Sequence, residues 1–259
     1  MEDEILIERR ERRLYVTFNR PKARNALTFA MYERLYALCG EIRRDPTVLV
    51  VVFRGAGDQA FVAGTDISEF RAFTTAEQGL QYEERMDAIF TEVERLPVPT
   101  IAALRGASTG GGLALASACD LRIATPDARL GFPMARTLGN CLSARNLARM
   151  IDQVGSAVVK EMLFTARLMT AARGYQLGFV SELVEDSGDF DRRVDDLATL
   201  IAGNAPLALR AGKETMRRIK ERAAPIDDRD LLLSCYLSND FREGMTAFLE
   251  KRPANWSGT

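Results

Sequence analysis

Gly106-Ala107-Ser108-Thr109-Gly110-Gly111-Gly112, followed without a break by the apolar run Leu113 to Ala118, is the stretch on which the reading of this chain turns. Three glycines in front of small and apolar residues predict a tight turn that opens a buried helix. The first N–H groups of such a helix have no partner within it and carry positive partial charge. Glycine, having no side chain, lets a ligand come close to them. Thr100 to Leu104 before the turn and Asp120 to Ala124 after the helix both read as strands.

A second small-residue turn, Ala60-Phe61-Val62-Ala63-Gly64-Thr65-Asp66-Ile67, follows the strand Val48 to Arg54 and precedes a polar segment. Together the two turns can offer two backbone donors to one developing oxyanion, as thioester enolate chemistry requires. On spacing alone such turns are usually no more than turns. Further out, Ile5 to Glu8 and Leu14 to Asn19 read as strands, Thr28 to Arg44 as a helix capped by Thr28, and Glu77 to Leu96 as a helix closed by Pro97 and Pro99. Strands alternating with helices place the core in the α/β class. From Ser143 the pattern is helical, at Ser143 to Met150, Ser156 to Phe164, Ala171 to Leu177, Phe190 to Ala202, Ala205 to Arg222 and Ser238 to Lys251, with one strand at Phe179 to Val184. The expected division is a core over 1–195 and a helical region over 196–259 that covers the site or builds an oligomer.

With 259 residues and 47% hydrophobic content the chain can bury one substantial core. A net charge of -1, with Arg interleaved among Asp and Glu, leaves no basic face for nucleic acid. The run Arg9, Arg10, Arg12 and Arg13 is broken by Glu11 and suits a solvated hairpin end. No apolar stretch is long enough to span a membrane, and Met1 is followed by Glu2, Asp3 and Glu4, so a soluble, cytoplasmic protein is expected. Cys39, Cys119, Cys141 and Cys235 are scattered, which fits reduced thiols and no metal site. The chain has no histidine. That removes Ser-His-Asp and Cys-His systems and leaves acid–base work to carboxylates, Tyr, Lys, Cys or water.

Arg20-Pro21-Lys22-Ala23-Arg24-Asn25-Ala26-Leu27, the turn Phe61 to Ile67, Gly110-Gly111-Gly112 and Ala118 to Ala124, taken in order, resemble the enoyl-CoA hydratase/isomerase, or crotonase, superfamily. Glu161 to Arg167, Gly178-Phe179-Val180, Asn204-Ala205-Pro206 and Glu243 to Arg252 continue the match to the C-terminus. The resemblance implies a crotonase-like spiral of β-β-α units with a helical C-terminal trimerisation region, assembled as a homotrimer or homohexamer. It implies an acyl-coenzyme A substrate and no permanently bound cofactor. By motif position, the oxyanion donors are the backbone N–H groups of Thr65 and Gly111. Arg24, Ala26, Ala63, Asp66 and Ile67 line the coenzyme A path, with Asp66 also explicable as a structural turn residue. Phe248 and Lys251 contact the coenzyme from a neighbouring subunit, or Lys251 is a solvated cation at a helix end.

The chain departs from the family where hydratases carry two glutamates. Ala114 stands at the first of those positions and Met134, in Leu130-Gly131-Phe132-Pro133-Met134, at the second. A positioned general acid or base contributes roughly 10² to 10⁴ in rate, so ordinary hydration should be crippled. A backbone oxyanion hole survives such substitutions. Candidate replacements are Asp87, with Glu83 and Glu84 nearby, and Asn140 in the segment Arg136 to Ser143. Cys141 has no histidine to activate it, and Arg136 can bind an acyl carboxylate or sit in a salt bridge. The expected function is an acyl-CoA enzyme of the hydratase/isomerase type acting through a thioester enolate. Decarboxylation, thioester hydrolysis, dehalogenation and a non-catalytic acyl-CoA-binding role are the alternatives.

Overall fold

The computed structural model describes residues 3–220, 229, 233, 236–257 and 259. The chain opens with an antiparallel hairpin of β1 (Ile5–Arg10) and β2 (Arg13–Phe18), reversing at Glu11 and Arg12 as the charged run predicts. Helix α1 (Phe29–Arg44) follows, and Thr28 Oγ1 caps it by accepting from Met31 N at 3.2 Å.

Three turns of one kind come next. β3 (Val50–Gly55) and β4 (Ala60–Val62) lead to α2 (Ala76–Glu94). β5 (Thr100–Leu104) and β6 (Ala107–Thr109) lead to α3 (Gly111–Ala118). β7 (Leu121–Ala124) and β8 (Arg129–Gly131) lead to α4 (Met134–Thr137). In each turn the first strand joins a large sheet and the second a small one, so β3, β5 and β7 pair in parallel, as do β4, β6 and β8. This is the expected spiral of β-β-α units. The short second strands, β4, β6 and β8, read from sequence as loop or turn, because three residues are too few to display alternation.

The inner strands β2, β3 and β5 are buried on both faces, which is why they are largely apolar. Leu14, Val16, Phe18, Val51, Phe53, Ala102 and Leu104 enter the main core, while Tyr15, Val50, Val52, Ile101 and Ala103 alternate to the other face. That second face packs against Phe190, Val194, Ala198 and Ile201.

The helical part begins with α5 (Ala144–Thr165), which bends at Gly155, where φ is 79° and ψ is 155°. The two helices expected here are thus one element with a break at the glycine. β9 (Met169–Thr170) adds to the small sheet antiparallel to β8, and α6 (Ala171–Gln176) follows. The strand expected over Phe179 to Val184 shrinks to β10 (Glu182–Leu183), since Val180 N bonds back to Gly174 O at 3.0 Å. Helix α7 (Phe190–Ala202) supplies the residues on the second face of the sheet. The expected division at 195/196 falls within this helix.

Helix α8 (Pro206–Lys220) has no buried residue and exposes Leu207, Met216 and Ile219. The remainder of the helix predicted to Arg222, like Cys235, lies outside the described residues. Helix α9 (Asn239–Glu250), capped by Ser238, folds back onto the core. Phe241 clusters with Phe70 and Tyr236, and Gly244 sits so close to Leu138 that a Cβ there would lie 2.5 Å from the Leu138 carbonyl oxygen. Among the described residues no helix is long and apolar enough to cross a membrane.

Candidate active site

Three chain segments come together through backbone hydrogen bonds. Asn25, fully buried at φ 56°, receives Arg20 N at 3.0 Å and donates to the carbonyls of Ala56 and Ala60 at 3.0 and 2.8 Å. It thereby holds the Arg24 to Leu27 loop against the turn after β4. Ala63 N donates to Arg24 O, Leu27 N to Gly64 O, and Asp66 N to Leu27 O, at 3.1, 2.9 and 2.8 Å. Because Leu27 takes the groups on either side of Thr65, the N–H of Thr65 faces away from that pairing. Among the described residues it meets no acceptor.

The glycine turn is built against the same place. Gly110, at φ 53°, donates to Gly131 O at 3.0 Å, and Ala114 N closes the first turn of α3 onto Gly110 O at 3.0 Å. Gly111 is thus the first residue of the helix, with an N–H that likewise has no acceptor among the described residues. A Cβ at Gly111 would collide with the Tyr32 hydroxyl and lie 3.3 Å from Thr65 Oγ1. One at Gly112 would strike the Val62 carbonyl. At the far end of α3 the buried Arg122 guanidinium bonds the carbonyls of Ala116 and Cys119 at 3.1 and 2.9 Å, and that of Phe179. A cation there complements the helix dipole whose positive end meets the cavity.

Thr65 and Gly111 open on a cavity of about 510 Å³. Arg24, Ala26, Ala63, Asp66 and Ile67 line it, as does Asn140. Asp66 also caps the helical turn after it, and its carboxyl stays below the ordinary range: burial pushes it up, and hydrogen bonds from Ser68 and Arg20 more than offset this. Ala114 and Met134, the positions where the resemblance places the missing glutamates, both line the cavity and are apolar. Arg136 and Cys141 line it as well.

Asp87 does not line the cavity: it accepts from Ser143 Oγ at 2.7 Å and lies 3.9 Å from the buried Arg149, so it ties α2 to the start of α5. Phe248 lines the cavity of its own chain, because α9 folds back onto Leu138 and Phe70. Lys251, exposed in a left-handed conformation at the end of α9, is not part of the lining.

The wall facing the glycine turn comes from α2 through Tyr82, Glu83, Met86 and Phe90. Glu83 is 4% exposed and accepts from the Tyr236 hydroxyl at 2.6 Å. The pKa of that hydroxyl is pushed well up, chiefly by burial. Tyr82 and Tyr32 place their hydroxyls 2.7 and 3.0 Å from Thr65 Oγ1. Glu83 was visible in sequence only as a neighbour of Asp87. The signal that singles it out is the buried stripe of α2, Leu80, Met86, Ile89, Phe90 and Val93, into which Glu83 falls at helical spacing. No group of three or more Cys, Asp or Glu suited to a metal is present among the described residues.

A family model described as enoyl-CoA hydratase/isomerase matches residues 8–259. The short-chain-enoyl-CoA hydratase of Clostridium acetobutylicum is 34% identical over 96% of this chain and 95% of its own length. Among solved structures, an enoyl-CoA hydratase/carnithine racemase from Magnetospirillum magneticum superposes with a TM-score of 0.81 at 32% identity, covering 100% of this chain and 97% of that one. A methylmalonyl-CoA decarboxylase in complex with 2-nitronate-propionyl-CoA superposes with a TM-score of 0.90 at 26% identity, covering 99% of both chains.

Proposed function

The chain belongs to the enoyl-CoA hydratase/isomerase family, and from that premise we propose that it binds an acyl-CoA thioester in the cavity and stabilises the derived enolate with the N–H groups of Thr65 and Gly111. The observation that carries this reading is the pair of backbone N–H groups, both without an acceptor among the described residues and both opening on one cavity. Preorganised donors of this kind act where negative charge develops on the thioester oxygen, and each contributes about 3 kcal/mol to the transition state. Arg24, exposed at the mouth, and Ala26, Ala63, Asp66, Ile67 and Phe248 form the coenzyme path. The exposed apolar residues Leu200, Leu207, Met216 and Ile219 support a homotrimer or homohexamer built through the helical region. A cytoplasmic location and acid–base chemistry without a resident cofactor complete the reading.

Decarboxylation is the second reading. Loss of carbon dioxide generates an enolate without a base, so Ala114 and Met134 cost that reaction nothing, and the likeness to a methylmalonyl-CoA decarboxylase favours it.

A panel of crotonyl-CoA, a 3-enoyl-CoA and malonyl-type thioesters, followed by mass spectrometry, tests both. Water addition or isomerisation supports the first reading and carbon dioxide loss the second. Acyl-CoA binding with no turnover of any thioester overturns both in favour of a binding subunit.

A further inference from the structure

We propose that Glu83 is the acid–base residue of this enzyme, taking and returning the α-proton of the bound acyl thioester, with Tyr236 as its positioning residue. The proposal rests on the enolate reading above. Among the described residues two carboxylates line the cavity, Asp66 and Glu83. Asp66 is committed to Arg20 at 2.9 Å and to Ser68 N and Oγ at 3.1 and 2.7 Å, contacts that cap a helical turn. Glu83 occupies a position in the apolar stripe of α2 and is almost wholly buried there. A carboxylate at such a position costs folding free energy, which a purely structural role would avoid with an apolar side chain of similar size.

The hydrogen-bond order at Glu83 suits a proton acceptor. Tyr236 donates its hydroxyl proton to Glu83 Oε1 at 2.6 Å, and that donor stabilises charge on Glu83. Tyr32, Tyr82 and Tyr236 feel its charge, and all three are held in the neutral phenol form by burial. On the same helix, Glu84 faces solvent and Asp87 is turned to Ser143.

The step balances within the site. The α C–H bond breaks, its electron pair forms the enolate C=C, and the carbonyl π pair moves onto the thioester oxygen facing Thr65 and Gly111. The proton forms an O–H bond on Glu83. Reversal after exchange of that proton with solvent restores the thioester.

Exchange at C2 of butyryl-CoA in heavy water, followed by NMR, reads this step without any net reaction. The wild-type protein should incorporate deuterium. Glu83→Gln should slow incorporation by roughly 10² to 10⁴ while calorimetry shows butyryl-CoA binding within a few-fold of wild type. Glu83→Asp should retain an intermediate rate, and Glu84→Gln the full rate. Tyr236→Phe removes a donor to the charged form, so the rising limb of the pH–rate profile should move to higher pH. Wild-type exchange that persists in Glu83→Gln overturns the role of Glu83 and leaves the enolate reading standing. Joint loss of binding and exchange in Glu83→Gln marks a structural residue and overturns the proposal. A wild-type protein that binds butyryl-CoA yet exchanges nothing and converts no thioester overturns both.

Discussion

The Tyr82 hydroxyl lies 2.7 Å from Thr65 Oγ1. With Tyr32 on the other side of the same oxygen at 3.0 Å, the Thr65 turn is pinned to α1 and α2 together, so the N–H that faces the cavity is held by two helices distant in sequence. Tyr82→Phe removes one pin and leaves the ring in place. The expected effect is a loss of about 1 kcal/mol in stability and a fall in turnover that exceeds any rise in KM. Urea unfolding and steady-state kinetics on the best thioester of the panel measure the two parts. Unchanged turnover would separate the tyrosine from the site.

Gly111→Ala puts a methyl group against the Tyr32 hydroxyl and within 3.3 Å of Thr65 Oγ1. The turn must shift, and a misplaced donor loses most of its worth. We expect turnover to fall by roughly 10² or more with a smaller change in acyl-CoA affinity. Comparing kcat with a calorimetric Kd distinguishes this from simple blockage of the cavity, which would weaken binding equally.

Arg122 satisfies three buried carbonyls, those of Ala116, Cys119 and Phe179, while its own pKa is lowered, chiefly by burial. Arg122→Leu leaves those acceptors without their donor. A destabilisation of about 3 kcal/mol or more is expected in chemical denaturation. A variant as stable as wild type would show that water replaces the guanidinium.

Glu94 joins three helices: Arg149 of α5 at 3.1 Å and Lys220 of α8 at 3.1 Å both reach it from α2. Burial alone would raise its pKa, but the charges of Arg149 and Lys220 outweigh that and lower it below the ordinary 4.5. A depressed carboxylate pKa stabilises the fold above the unfolded value, and the contribution is lost as pH falls through the folded value. Stability should therefore decline as pH drops below about 4.5, and Glu94→Gln should flatten that decline. Denaturation midpoints from pH 6 to pH 3 provide the check. An unaltered slope in the variant would assign the acid sensitivity to other carboxylates.

Much of the scaffold was legible in the chain itself. Thr28 announced its helix as a capping residue, and Val48 to Arg54 and Thr100 to Leu104 announced strands of an α/β core. The two small-residue turns marked where backbone N–H groups come free. These signals survive in sequence because capping, turn formation and strand alternation act between residues only a few positions apart. The three-residue strands β4, β6 and β8 escaped notice because their identity comes from pairing with one another across the spiral.

The sequence by itself determined the fold class, the absence of histidine-based chemistry and the two turns that meet at the cavity. Only the tertiary structure decided between Glu83 and Asp87 of α2, one helical turn apart, by placing their remote partners. Tyr236 reaches Glu83 from 153 residues away, and Ser143 claims Asp87 from 56. The close fit of Gly244 against Leu138 likewise brings Phe248 to the lining of its own chain's cavity. Such choices depend on packing between remote segments, where burial and hydrogen-bond satisfaction are decided jointly.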